Sequence, residues 1–170
     1  GNASFEREGI GALERAFAHR LARFLPPVLR QRLDLTDVEP AIDDLARHLD
    51  MRVRFVAFER GRDDVLAEQI RGQMKTAPDV VVPALDEVVD VIADSALVIA
   101  MRYHAAICAV LAARPLVCMP YEVKGWSLVD DLGDACAKLE SSGEAWLRLR
   151  EAAAGALTRT PAMLSARQRL

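Results

Sequence analysis

Aromatic side chains are scarce: five Phe, two Tyr and two Trp make up 5% of 170 residues. So few rings argue against a stacking platform for single-stranded nucleic acid. Blocks of one charge sign are missing too. Twenty-two basic and 25 acidic residues leave a net charge of −3 without any polybasic run, which excludes a basic arm for nucleic acid or for an anionic membrane. No apolar run approaches the roughly 20 residues that cross a bilayer, and the first residues lack the basic-then-apolar pattern of a secretory signal. The three cysteines, Cys108, Cys118 and Cys136, are odd in number and have no metal-ligand spacing. Reduced, buried thiols in a cytoplasmic protein are the expectation, with burial slowing the reactions of Cys108 and Cys118.

What the chain does have is apolar residues, 52% of the total, enough for a real core and too many for a disordered chain. The first fifty residues read as helix. Ile10, Leu13, Phe17, Leu21 and Phe24 recur every three or four positions until Pro26-Pro27 interrupts them. A short piece over 28–33 follows. Thr36 or Asp37 then caps a second helix to about Leu49, with Pro40 tolerated in its first turn. His19 and His48 lie among arginines in these helices and read as ordinary surface or packing residues.

From Arg52 the period changes. The runs 53–58, 80–82, 96–100 and 116–119 are short, apolar and β-branched, and read as strands. Between them, 62–75 is amphipathic with Val65, Leu66, Gln69, Ile70, Gln73 and Met74 on one face. Residues 85–94 place Leu85, Val88, Val89 and Ile92 inward, and 104–113 is a third helix. A helix over about 125–132 and a long one over about 136–156, Ala-rich at 151–157, complete the pattern. The stretch after Thr160 has no clear assignment. Strand alternating with helix across short loops predicts an α/β, Rossmann-like parallel sheet with helices on both faces, preceded by a helical segment. The expected division is 4–50 helical, 51–160 Rossmann-like and 161–170 tail.

In open parallel sheets ligands bind beyond the C-terminal ends of the strands. Two such ends carry polar residues. Met101-Arg102-Tyr103-His104 leads from one strand straight into a helix, and Pro120-Tyr121-Glu122-Val123-Lys124 follows another. If the two strands are neighbours, their tips lie about 4.8 Å apart. Arg102, His104, Glu122 and Lys124 then converge beside a helix N-terminus, whose free N–H groups and dipole favour a phosphate or carboxylate. Arginine adds a bidentate fork and lysine a point charge. The competing reading makes Arg102 and Lys124 solvated loop residues and His104 a packing residue. Spacing alone favours that reading slightly.

These same residues resemble the signature of the polysaccharide pyruvyl transferases. In that family a strand ends in Met-Arg-Leu-His, a helix of small residues follows, and a second strand ends in Tyr-Asp-x-Lys. Here Tyr103 stands for the leucine and Glu122 for the aspartate. The resemblance covers about residues 50–133. It implies one half of a GT-B-like architecture, specifically the C-terminal half of an enzyme moving pyruvate from phosphoenolpyruvate onto a cell-wall or capsular sugar as a ketal. It further implies that Arg102, Lys124, Tyr121 and Glu122 bind substrate and that His104 is catalytic. The implied partners are a phosphoenolpyruvate donor and a saccharide or lipid-linked polysaccharide acceptor, met in the cytoplasm or at the inner membrane face. No cofactor is implied, and no metal, since His104 has neither a paired histidine nor an acidic cluster beside it.

With no counterpart here to the family's N-terminal half, the 170 residues alone are expected to fold without turning over. Self-association through the helices at 10–49 or a bare sheet edge is the further expectation. Two rival readings remain. One is half of a GT-B glycosyltransferase binding a nucleotide sugar, against which stands the lack of glycine after the strand at 96–100. The other is a non-catalytic interaction domain dimerising through its helical N-terminus.

Overall fold

The most deeply buried strand explains why the sheet is parallel. Leu116, Val117, Cys118 and Met119 are at most 2% exposed. Successive strand side chains point to opposite faces, so both faces of this segment are covered, the condition under which a strand reads as an unbroken apolar run. A computed structural model describes residues 38–120, 123–140 and 143–169. The expected helix at 10–25, the cap at Thr36 or Asp37, His19, Tyr121 and Glu122 lie outside the described residues. Contacts divide the chain into two units, Gly1–Val82 and Pro83–Leu170.

In the first unit, α1 (Val38–Leu49) accommodates Pro40 in its first turn as expected, and His48 is exposed near its end. Strand β1 (Arg54–Val56) pairs in parallel with β2 (Asp79–Val81), Arg54 opposite Asp79 and Val56 opposite Val81. Helix α2 (Asp63–Arg71) packs on both strands, burying Ala67 and Ile70. Its first turn organises the loop that leads into it. Asp63 Oδ2 accepts the N–H groups of Phe58 and Glu59 at 3.0 Å each, and Asp64 Oδ1 accepts that of Gly61 at 2.6 Å. Negative charge there also complements the helix dipole.

In the second unit, α3 (Val88–Ala93) is shorter than the pattern at 85–94 suggests. Leu85 falls in a turn, 91% exposed rather than inward, while Val88 and Ile92 are buried as expected. Strand β3 (Val98–Ala100) pairs in parallel with β4 (Leu116–Cys118), and β4 with β5 (Ala137–Lys138). Helix α4 (Tyr103–Leu111) packs on β3 and β4. Helix α6 (Leu149–Leu157) packs on β4 and β5, so the central strand carries a helix contact from each.

The expected long helix over 136–156 is not present. Helix α5 (Val123–Leu132) ends at Gly133, whose φ of +53° suits a residue without Cβ, and a 3-10 turn (Gly133–Ala135) turns the chain. Cys136 is extended, Ala137 pairs with Val117, and Leu139 N–H reaches Cys118 O at 2.9 Å. A fifth strand thus occupies what reads locally as helix. Another 3-10 segment (Gly143–Arg148) then precedes α6. The unassigned stretch after Thr160 forms α7 (Thr160–Arg167), with Pro161 tolerated in its first turn and Met163 and Ala166 buried. It packs on α4 and on the turn after α5.

Candidate functional site

The strands whose tips carry the polar residues are neighbours. Val98 lies opposite Leu116, Ile99 opposite Val117 and Ala100 opposite Cys118, and the pairing ends with Met119 N–H donating to Ala100 O at 2.8 Å. Since the strands run parallel, the segments after both emerge at one edge of the sheet. Arg102 follows β3 by two residues and takes an extended conformation, φ −95° and ψ 143°, at the N-cap of α4. Its carbonyl accepts Ala106 N–H at 3.2 Å. The Arg102 side chain makes no capping hydrogen bond to this helix end, so the first-turn N–H groups rely on other acceptors.

His104 is the second residue of α4 and is exposed, while Arg102 and Tyr103 are half-buried. The Tyr103 and His104 rings meet edge to face with centroids 5.6 Å apart, a favoured aromatic geometry that holds the imidazole beside the phenol. Lys124 lies in the first turn of α5 and is exposed. Because α4 and α5 touch, the two helix starts that carry Arg102, His104 and Lys124 belong to one sheet edge and to packed neighbours. An edge bearing a guanidinium, an ammonium and first-turn helix N–H groups suits an anionic ligand.

The sequence reading did not single out Gly125. It is buried one residue beyond Lys124 and lies against the buried Pro120 at the end of β4. The signal available was a proline and a glycine bracketing residues 121–124, which shows their spacing but not their contact.

A cavity of about 580 Å³ lies elsewhere in this unit, beside β5, lined among others by Lys138, Arg148, Arg159, Asp130, Asp134 and Glu151. None of the expected site residues lines it. Arg159 reaches the Cys136 carbonyl at 2.7 Å there. All three cysteines are buried. Burial pushes the Cys108 thiol up. Cys118 is raised by its hydrogen bond with Cys136 and by burial. Cys136 is the first of the pair to ionise, because Cys118 hydrogen-bonds to its sulfur and Arg159 and Lys138 add positive charge, against the cost of burial. Among the described residues, no three His, Cys, Asp or Glu side chains cluster to hold a metal ion, and no helix is long and apolar enough to cross a membrane.

A family model described as polysaccharide pyruvyl transferase matches residues 32–123. The match takes in α1, all of β1 to β4, Arg102 and His104, and stops one residue short of Lys124. Comparison with curated proteins and with solved structures gave no match.

Proposed function

The chain belongs to the polysaccharide pyruvyl transferase family, and from that premise we propose that its β3–β4 edge binds phosphoenolpyruvate and transfers the pyruvyl group to a saccharide as a ketal. The observation that carries the reading is positional. Arg102, His104 and Lys124 start two packed helices at the C-terminal ends of adjacent parallel strands. Phosphoenolpyruvate carries a phosphate and a carboxylate, and it therefore needs several fixed positive groups. Arg102 supplies a fork, Lys124 a point charge, and the first turn of α4 supplies N–H donors. Tyr121 and Glu122, which directly precede α5 in sequence, complete the substrate contacts in this reading.

His104 acts as the proton donor. Proton transfer to the methylene carbon turns it into a methyl group and leaves cationic character at C2, which one sugar hydroxyl attacks. A second hydroxyl of the same sugar then displaces the phosphate as the C2–O bond to it breaks, closing the ketal; one hydroxyl proton restores His104 and the other leaves with the phosphate. A histidine near neutral pH suits the first step. The acceptor is a saccharide or lipid-linked polysaccharide precursor, which suits work in the cytoplasm at the inner membrane face. The parallel strand–helix alternation supports reading the chain as a Rossmann-like half of a GT-B-like enzyme.

Turnover and melting temperature together test this in the intact enzyme carrying the chain. His104 is exposed, so His104→Gln is expected to leave the melting temperature nearly unchanged. It should keep donor binding and lower turnover by about 10²–10⁴-fold, the usual loss of a general acid. Arg102→Ala should instead weaken donor binding first. A His104→Gln enzyme that turns over normally sinks the assignment, and binding of UDP-sugars in place of phosphoenolpyruvate sinks the reading as a whole.

A further inference from the structure

Beyond the side chains that face a donor, we infer that Gly125 is the positioning residue of the donor-binding edge, locking the start of α5, and with it Lys124, against Pro120. The inference rests on the donor-binding reading above. Gly125 is buried in the first turn of α5. A Cβ placed there would lie 2.5 Å from Pro120 Cβ, with Pro120 Cα at 3.5 Å and Cγ at 3.7 Å. Ordinary carbon contacts fall at about 3.5–4.0 Å, so a side chain at 125 requires a displacement of about 1 Å.

Which partner would move follows from what holds each. Pro120 Cβ belongs to a rigid ring, and Pro120 follows directly on Met119, which is buried and whose N–H is bonded to Ala100 O at 2.8 Å. A proline also fixes its own φ. The β4 side therefore cannot yield cheaply, and the start of α5 would shift. Lys124 is covalently next to Gly125, while Arg102 and His104 stay with α4. The displacement thus falls on the spacing between the two cationic arms, where an error of about 1 Å in a positioned group can cost about 100-fold. By helix propensity alone alanine would be the better residue at 125. Glycine here is explained by the close approach.

Calorimetric titration of phosphoenolpyruvate into the intact protein tests the interlock. Gly125→Ala is expected to weaken binding by about tenfold or more. Pro120→Gly/Gly125→Ala removes the opposing Cβ and should bind as well as Pro120→Gly alone. Pro120→Ala/Gly125→Ala keeps that Cβ and should stay much weaker than Pro120→Ala alone. The contrast between the double variants is informative even should Gly125→Ala by itself not fold. Wild-type affinity in Gly125→Ala, or equal rescue by both double variants, overturns the inference and leaves the donor site standing. No binding by the wild-type protein overturns the donor reading, and the interlock's role with it.

Discussion

Asp43 shows how much one buried carboxylate can organise. It is 5% exposed, on α1. It accepts Lys75 N–H at 2.7 Å, Thr76 N–H at 3.1 Å and the Thr76 hydroxyl at 2.6 Å, tying the helix to a loop more than thirty residues later. Burial alone would raise its pKa. The hydrogen bonds from Lys75 and Thr76, with the charge of Arg47, outweigh that and hold it below the ordinary 3.8. A carboxyl whose folded pKa is depressed adds stability above its unfolded pKa and loses it as pH falls through the folded value. Asp43→Asn is therefore expected to cost about 1.5–3 kcal/mol at pH 7, the usual worth of hydrogen bonds to a charged group. Urea unfolding at pH 7 and at pH 3 checks it. The difference between the two proteins should shrink at the lower pH, and a pH-independent difference would contradict the account.

At the scale of elements, several helix ends use a left-handed residue. After α4, Arg114 N–H reaches Ala109 O and Ala113 N–H reaches Val110 O, both at 2.9 Å, with Ala113 at φ +52°. This is the Schellman arrangement, normally closed by glycine. After α1, Asp50 does the same at φ +52°, a conformation aspartate tolerates better than alanine. Ala113→Gly relieves about 1–2 kcal/mol of left-handed strain and gives back part of it as unfolded-state entropy. A net gain of roughly 0.5–1 kcal/mol is expected in thermal unfolding, and a loss of stability would mean that the methyl of Ala113 makes a packing contact worth more than the strain.

Across the whole chain, the joint between the two units is the feature most open to test. Gly1–Val82 and Pro83–Leu170 meet in sequence at a short turn where Ala84, Leu85, Asp86 and Glu87 are exposed. Exposed turns are where proteases cut first, since a strand or helix must unfold locally before it fits a protease cleft. Limited digestion with a protease selective for leucine should make its first cut within residues 38–120 at Leu85. A first cut within α2 or α4 would show that those helices open more readily than the turn.

Sequence by itself determined what local period and composition can encode. The four apolar strand runs, the helices between them, the buried thiols and the Arg-x-His start of α4 were legible because side-chain alternation and helix periodicity depend on near neighbours. Family membership was legible in the same short motifs. Tertiary structure alone decided the rest. Residues 136–139 lie next to an Ala-rich helical pattern, yet Ala137 and Lys138 become a strand because β4 offers its backbone to them; a two-residue pairing leaves no periodic trace. Leu85 looked inward from its spacing, but the helix begins three residues later and leaves it in water. The Asp43 clamp and the Gly125–Pro120 approach each depend on where a turn returns the chain. That distance is set by packing, and no single residue type announces it.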